Sequence, residues 1–197
     1  MREMIKMVVV LTALSAFSGG LLAAVYNKTK GTIEEQELKY DKAPAIKLIL
    51  KGSSNDPIAD RFKLKDGETE KNFFVGIFDG KANIVAFEAF GKGFGGDVGV
   101  MVGVSLDDDK VVGVGVTTHS ETPGLGSRAK TELGFSAQFK GKSLMETFNV
   151  KSSGGEMDAL AGATVTSQAV CVAVTEAGTA YKRLKSQIAK QAGAFNK

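Results

Sequence analysis

The longest apolar stretch of the chain lies near its N-terminus, where residues 7–26 (MVVVLTALSAFSGGLLAAVY) contain no charged side chain. As a helix with a rise of about 1.5 Å per residue, this stretch reaches about 30 Å, the thickness of the hydrocarbon core of a bilayer. A cleaved signal peptide is the alternative, but its apolar region usually has about 7–15 residues. The pattern therefore favours a single transmembrane helix over 7–26, preceded by a short tail over 1–6.

The region after this helix is polar in character. Residues 31–52 predict a polar helical stalk that is broken near Pro44, and residues 53–72 predict a linker, because they contain Pro57 and lack apolar periodicity. We therefore assign residues 27–71 to a stalk and linker, and residues 72–191 to a folded domain.

Short segments rich in Phe, Val and Ile, separated by glycine, make up the first half of that domain. Such segments are typical of strands, and Asp79-Gly80 and Asp107–Asp109 are turn sequences that join them. The predicted strands cover residues 73–78, 82–90, 98–106 and 111–118. In the last of these, valine alternates with Gly113 and Gly115, a pattern that suits a strand packed closely against another element.

Two helices are predicted after the strands, one over residues 127–139 and one over residues 167–187, with Ser167 or Thr166 as the N-cap of the second. An apolar stripe with helical spacing defines the second helix. The stripe consists of Val170, Ala173, Val174, Ala177, Tyr181, Leu184 and Ile188. Cys171 lies between stripe positions, and we expect it to be a packing residue. The pattern as a whole predicts an α+β domain with an antiparallel sheet and flanking helices.

Composition excludes several kinds of chemistry. Cys171 is the single cysteine and His119 the single histidine, which excludes a disulfide within the chain and a metal site of several histidines. The 25 Lys and Arg residues exceed the 22 Asp and Glu residues by only three, which gives no indication of nucleic acid binding. We expect no metal site and no separate catalytic acid or base, so any chemistry comes from a hydroxyl, a carboxylate, the backbone or a bound cofactor.

The first pattern that can carry chemistry is the glycine-rich run over residues 91–96 (GKGFGG). A dinucleotide-binding motif of this form requires a helix directly after it. The sequence that follows, DVGVMVGVSL, alternates like a strand. We therefore interpret the run as a glycine-rich loop close to a planar or backbone partner.

The second pattern covers residues 119–126 (HSETPGLG), directly after the last predicted strand. Pro123-Gly124 predicts a type II turn. The segment brings the imidazole of His119 and the carboxylate of Glu121 to the end of a strand, where binding loops commonly lie. A plain turn with solvated side chains is the alternative.

The third pattern covers residues 158–167 (DALAGATVTS), directly before the long helix. A Gly-Ala-Thr turn that leads into a helix places free N–H groups and the positive end of the helix dipole together, which suits a phosphate. Thr164, Thr166 and Ser167 supply three hydroxyls within four residues. Simple N-capping, which needs only one hydroxyl, is the alternative.

Residues 91–126 together with residues 158–167 resemble the FMN-binding domain of the G subunit of the Rnf electron-transport complex. The C subunit of the sodium-translocating NADH:quinone reductase shares this domain, but it resembles a longer version of the chain. The similarity spans nearly the whole chain, including the N-terminal helix. It implies a membrane-anchored flavoprotein subunit that relays electrons in an ion-translocating ferredoxin:NAD⁺ oxidoreductase.

The resemblance also implies how the cofactor is held. In this family one FMN per chain is attached covalently, through a phosphoester to the final Thr of a Ser/Thr-Gly-Ala-Thr motif, and that position is Thr164. Gly162 and Ala163 match the motif and Asp158 matches upstream of it, whereas Ala161 stands where the family usually has Ser or Thr. A flavin transferase that uses FAD and a divalent metal would attach the FMN.

The turn over residues 121–126 is expected to form a wall for the isoalloxazine ring, and His119 is expected to orient this loop. The expected cofactor-binding residues are Thr164, Asp158, Gly162, Ala163, Thr166, Ser167, Glu121, Thr122, Gly124, Leu125, Gly126 and His119.

Location and partners follow from the resemblance, because basic residues flank both ends of the apolar stretch and give no orientation. The implied location is the cell (inner) membrane, with a single span and the soluble domain on the extracytoplasmic (periplasmic) side. The implied partners are the other membrane and redox subunits of the complex, and the flavin transferase during maturation. Two alternatives stay open: a stand-alone extracytoplasmic FMN electron carrier, and an assembly anchor that lacks flavin because of Ala161.

Overall fold

The computed structural model describes residues 1–196, which divide into residues 1–40 and a compact unit that begins at Asp41. In the first unit, helix α1 covers Arg2–Gln36, and all of its residues are exposed. The helical stretch Arg2–Ile49 contains a segment with a mean hydropathy of 2.2, long and apolar enough to cross a membrane. The predicted N-terminal apolar helix is thus present, while its span over 7–26 stays a prediction.

The segment around Pro44 differs from the predicted stalk. Residues Glu37–Lys42 form a π-helix, and helix α2 then covers Ala43–Ile49 with Pro44 in its first turn. Proline is accommodated directly after the π-helix, where the helical hydrogen-bonding pattern changes. The prediction of a polar stalk over 31–52 is wrong for α2, since Ala45, Ile46 and Ile49 are buried in the compact unit.

The centre of the compact unit is an antiparallel sheet of five strands in the order β1-β2-β3-β4-β5. The strands are β1 Arg61–Asp66, β2 Thr69–Phe78, β3 Lys81–Lys92, β4 Asp97–Ser105 and β5 Val111–Val116. The four predicted strands correspond to β2 to β5. Asp79 and Gly80, with φ angles of 52° and 78°, form the turn between β2 and β3 as expected.

Strand β1 lies inside the predicted linker over 53–72, so that prediction is wrong. The ring of Phe62 stacks on that of Phe73 in β2, with centroids 5.4 Å apart, and it also approaches Phe195. Only Phe62 and Leu64 are apolar in this strand, so the alternation is too short to be recognised. The compact unit therefore includes α2 and β1, both of which precede the predicted domain start at residue 72.

The two helices predicted after the sheet are present with different boundaries. The predicted helix over 127–139 is divided into α3 Arg128–Thr131 and α4 Leu133–Ala137, because Glu132 is extended with a ψ of 93°. The last helix, α5, covers Thr164–Gly193. All seven residues of its predicted apolar stripe are buried. Its N-cap is Ala163 without a side-chain cap, so the predicted N-cap at Ser167 or Thr166 is wrong.

Helices α5 and α2 cover opposite faces of the sheet. Helix α5 packs on β3 and β4, and the core between them contains Cys171, which is 0% exposed and packs as predicted. Helix α2 packs on β4 and β5, where a Cβ on Gly115 would lie 3.0 Å from the Cβ of Ala45. Close packing on the valine-glycine strand is thus confirmed, and α2 is the element that packs there.

Candidate functional site

A cavity of about 420 Å³ opens where the β3–β4 loop, the segment after β5 and the first turn of α5 meet. Cavities that bind small molecules usually have volumes of about 300–1,000 Å³. The residues that line it are Phe94, Glu121, Thr122, Leu125, Gly126, Gly162, Ala163, Thr164, Val165 and Thr166. Each of the three sequence patterns therefore contributes to one site.

The glycine-rich run covers the end of β3, at Gly91 and Lys92, and the β3–β4 loop over 93–96, and β4 follows it directly, as expected. A Cβ on Gly91 would overlap the carbonyl oxygen of Ala169 in α5. A Cβ on Gly95 would overlap the carbonyl oxygen of Ser120. The prediction of a loop close to a backbone partner is confirmed by Gly95, and Gly91 at the end of β3 has a second such partner in α5.

Phe94 lies in this loop and is a lining residue that the three patterns did not single out. Its side chain is 78% exposed although it lines the cavity. An aromatic residue between glycines at a hairpin is the signal that points to it, because glycines on both sides leave the ring without neighbours in its own loop. Val165, which is 53% exposed, is a second such lining residue.

The segment after β5 forms the predicted turn. The N–H of Leu125 donates to the carbonyl oxygen of Thr122 at 3.2 Å, and Gly124 has the φ of +74° that a type II turn requires at its third residue. Leu125 and Thr122 are exposed and line the cavity, whereas Gly124 shapes the turn without lining it. His119 also lies outside the lining, where its Nδ1 accepts a hydrogen bond from the N–H of Glu121 at 3.3 Å.

Glu121 points inward and is only 6% exposed. Its Oε1 accepts a hydrogen bond from the N–H of Gly95 at 2.8 Å, and its Oε2 accepts one from the hydroxyl of Thr166 at 2.5 Å. A Cβ on Gly126 would lie 2.6 Å from both Oε2 and the hydroxyl oxygen of Thr166. One carboxylate therefore joins the three segments that form the cavity.

The turn before α5 leaves the start of that helix open. Gly162 has a φ of +76°, and the first bond within the helix runs from the N–H of Ser167 to the carbonyl oxygen of Ala163 at 2.9 Å. The N–H groups of Thr164, Val165 and Thr166 therefore have no acceptor within the helix. Because no side chain caps this end, it can accept an anion.

The three hydroxyls of this region have different environments. Ser167 is 0% exposed and donates to the carbonyl oxygen of Ala163 at 2.9 Å, and Thr166 is 2% exposed and donates to Glu121. Thr164 is exposed and lines the cavity, and its hydroxyl has no hydrogen-bond partner within residues 1–196. Of the three hydroxyls, that of Thr164 is therefore the one exposed at the cavity.

Two further positions of the motif lie outside the cavity lining. The carboxylate of Asp158 pairs with Lys151 at 2.7 Å, and its backbone N–H and carbonyl oxygen both bond to the side chain of Gln138. The carbonyl oxygen of Ala161 accepts a hydrogen bond from Arg128 at 3.2 Å, and Ala161 itself is exposed. Both residues hold the segment that leads to the Gly-Ala-Thr turn.

Comparison with known proteins agrees with this geometry. A family model described as an FMN-binding domain matches residues 93–179, a range that includes all the cavity-lining residues. The G subunit of the ion-translocating oxidoreductase complex of Methanosarcina acetivorans is 30% identical over 178 residues, which cover 89% of this chain and 93% of that protein. The corresponding G subunit of Escherichia coli (strain K12) is 31% identical over 192 residues, covering 92% of this chain and 93% of that protein.

Two solved structures have a similar fold. The C subunit of the Na⁺-translocating NADH-quinone reductase from Parabacteroides distasonis has a TM-score of 0.52 and 25% identity, covering 68% of this chain and 71% of that chain. The NqrC of Shewanella oneidensis has a TM-score of 0.51 and 26% identity, covering 70% of this chain and 68% of that chain.

Proposed function

The chain belongs to the family of G subunits of ion-translocating oxidoreductase complexes, and on this premise we propose that it relays electrons in such a complex through one FMN attached to Thr164. The resemblance stated from the sequence is thus confirmed at the level of the family. FMN supplies the electron transfer when bound, while the protein supplies binding, orientation and the electrostatic environment. The proposal rests most directly on the free hydroxyl of Thr164 at the uncapped start of α5.

The cavity fits the two chemically different ends of FMN. A phosphate is suited to the start of α5, where three N–H groups have no acceptor within the helix. A flat apolar ring is suited to the side of the cavity that Phe94, Leu125 and Val165 line. The cavity volume of about 420 Å³ is compatible with a ligand of this class. The cavity is partly open, so part of such a ligand would stay accessible to solvent.

Covalent attachment at Thr164 is favoured over the two neighbouring hydroxyls. Thr166 and Ser167 are buried, and each already donates its hydroxyl hydrogen inside the protein. A phosphoester on either would require the loss of that bond and the exposure of a buried side chain. A phosphoester on Thr164 instead places the negative charge beside the positive end of the helix dipole.

The attachment reaction requires an external donor, and we propose FAD delivered by a flavin transferase with a divalent metal. The Oγ1 of Thr164 bonds to the phosphorus on the flavin side of the FAD pyrophosphate, and the bond from this phosphorus to the AMP oxygen breaks. AMP leaves, and the hydroxyl proton passes to a base of the transferase. The exposure of Thr164 supports this reaction, because a second protein must reach its hydroxyl.

The alanine at position 161 is compatible with this proposal. Ala161 is exposed and does not line the cavity, and it contributes its backbone carbonyl oxygen to Arg128. A hydroxyl at this position is therefore not required to complete the cavity. The flavin content of the wild-type chain measures directly whether the transferase accepts Ala161.

We further propose that the apolar segment of α1 anchors the chain in the cell membrane and that the FMN domain lies on the extracytoplasmic (periplasmic) side. The hydropathy of this helix and the names of the relatives, which are subunits of ion-translocating complexes, support membrane anchoring. The proposed partners are the other membrane and redox subunits of such a complex.

Flavin fluorescence of the denatured chain tests the attachment. The protein is isolated from its native membrane, separated in a denaturing gel and examined under ultraviolet light, where only a covalently held flavin stays with the band. We expect a fluorescent band from the wild type and none from Thr164→Val. Thr122→Val is the matched control, since Thr122 is an exposed threonine of the same cavity, and it should stay fluorescent.

Co-purification separates the proposed role from the two alternatives. A fluorescent chain that is isolated in mild detergent together with polytopic membrane proteins supports membership of a complex. A fluorescent chain that is isolated alone supports a stand-alone electron carrier. A chain that is isolated with polytopic proteins but lacks flavin, in cells that flavinylate other proteins, supports an assembly anchor.

A further inference from the structure

We propose that Glu121 is a positioning residue that joins the β3–β4 loop to the first turn of α5 and so keeps the two walls of the cavity at a fixed separation. The inference deepens the proposed function and rests on it, because the two walls are those assigned to FMN. It differs from direct cofactor binding in that the carboxylate acts through the two segments that it joins.

The two bonds of Glu121 connect parts of the chain that are distant in sequence. Gly95 is 26 residues before Glu121, and Thr166 is 45 residues after it. A carboxylate has two oxygens that accept hydrogen bonds, and here each oxygen takes its donor from a different segment. Burial of a carboxylate is costly in free energy unless it accepts hydrogen bonds. The N–H of Gly95 and the hydroxyl of Thr166 donate these bonds.

The surrounding glycines show that space is reserved for this carboxylate. A Cβ on Gly93 would overlap Oε1 of Glu121, and a Cβ on Gly126 would lie 2.6 Å from Oε2. Gly93 lies in the β3–β4 loop, and Gly126 directly follows the type II turn. Glycine at these two positions therefore leaves room for the Glu121 carboxylate. This steric observation is independent of the two hydrogen bonds.

Each of the two hydrogen bonds lies close in sequence to a residue that lines the cavity. Phe94 directly precedes Gly95, so the bond to the N–H of Gly95 restrains the loop that presents the Phe94 ring. Thr164 lies two residues before Thr166 in the same helical turn. Loss of Glu121 is therefore expected to free the Phe94 loop relative to Thr164 while leaving the Thr164 hydroxyl itself intact.

Three substitutions separate positioning from charge. Glu121→Ala removes both bonds. Glu121→Gln keeps both, because the amide oxygen accepts from Gly95 and the amide N–H₂ donates to the hydroxyl oxygen of Thr166. Thr166→Val removes only the bond to α5 at nearly constant volume. Glu156→Ala is the matched control, since Glu156 is an exposed glutamate whose carboxylate pairs with Lys142 outside the cavity lining.

The first measurement is the visible circular dichroism of the flavin in the full-length, FMN-loaded protein, which reports how the ring is held. We expect Glu121→Ala and Thr166→Val to lose the wild-type signal, and Glu121→Gln and Glu156→Ala to keep it. Intact mass verifies that each variant carries FMN. A wild-type signal in Glu121→Ala, or an equal loss in Glu121→Gln, would overturn the inference, the second because charge would then be the property that matters.

The second measurement needs no flavin. In the Thr164→Val background, amide hydrogen exchange is followed at Gly95, with amides of β4 as the reference for global unfolding. Glu121→Ala should speed exchange at Gly95 about tenfold, as expected for the loss of one hydrogen bond to a carboxylate, and Glu121→Gln should not. Unchanged exchange in Glu121→Ala would contradict the inference.

The two experiments also separate this inference from the proposed function. Wild-type protein without FMN contradicts the proposed function, while the exchange at Gly95 still tests the role of Glu121. Wild-type protein with FMN and a normal flavin signal in Glu121→Ala contradicts only the role of Glu121. Should Glu121→Ala fail to fold, Thr166→Val decides, because a wild-type flavin signal in that variant also overturns the inference.

Discussion

The Cγ2 methyl of Ile49 in α2 occupies the space that a Cβ on Gly103 in β4 would fill. The contact joins the helix that contains Pro44 to β4, on the face opposite α5. Gly113 in β5 also lies against Ile49, where a Cβ would be 3.4 Å from Cγ1. The two glycines thus allow α2 to lie directly on the strands.

Gly103→Ala is expected to destabilise the compact unit by about 1–3 kcal/mol, because a branched methyl beside the helix backbone cannot move away without shifting α2. The midpoint of urea denaturation in detergent measures the loss. Gly113→Ala is the matched control and should cost clearly less, since its Cβ would make an ordinary van der Waals contact. Equal losses in the two variants would contradict this account of the α2 packing.

Asp109 makes the free energy of unfolding depend on pH in the acidic range. Its carboxylate accepts the hydroxyl hydrogen of Tyr181 at 2.8 Å and pairs with Lys185 at 2.6 Å, so it holds α5 to the β4–β5 turn. The bond from the Lys185 ammonium, with a smaller contribution from Tyr181, holds the pKa of Asp109 below its usual range. Its stabilising effect is therefore fully present above about pH 4, the usual value for aspartate, and is lost as the pH falls through the lower folded value.

We expect Asp109→Asn to lower the free energy of unfolding by about 0.5 kcal/mol at pH 7. The value is small because solvent screens a partly exposed ion pair. The cost should shrink as the pH falls through the lowered folded pKa of Asp109, because the wild-type carboxyl then becomes protonated as well. Asparagine tolerates the φ of 57° at this position, so the turn itself is kept. Urea denaturation at several pH values checks this, with Asp97→Asn as the control. A cost that does not vary with pH would show that the ion pair contributes nothing.

Cys171 is expected to be unreactive in the folded protein. It is 0% exposed, and burial raises the pKa of its thiol to about 11. At pH 8 only about one thiol in a thousand would be the reactive thiolate, and a reagent cannot reach it without local opening. Iodoacetamide should therefore label the chain in denaturant and not under native conditions. Rapid labelling of the native protein would place Cys171 outside the core.

The elements that could be predicted from the sequence are those whose signals are local. The turn at Asp79-Gly80 has the dipeptide that its backbone angles require. Helix α5 has an apolar stripe that needs no knowledge of what it packs against. Strand β1 was missed because its burial depends on Phe73 and on the distant Phe195, and its own sequence contains only two apolar residues.

The site was predictable in its parts but not in its assembly. The three patterns could be recognised because turn chemistry and helix ends have sequence signatures. The bond between Thr166 and Glu121 could not, since it joins residues 45 positions apart. Thr166 does not cap α5, because the helix begins two residues earlier, at Thr164, and the Thr166 hydroxyl donates across the cavity to Glu121.

The central claim is that a single hydroxyl, that of Thr164, carries the FMN, and peptide mass analysis tests it most directly. Trypsin should release residues 152–182 from protein isolated from its native membrane, a peptide that contains Thr164, Thr166 and Ser167 together. We predict that this peptide carries the mass of one FMN joined by loss of water, and that fragmentation places the mass on Thr164. An unmodified peptide from cells that flavinylate other proteins, or a modification on Thr166 or Ser167, would contradict the account.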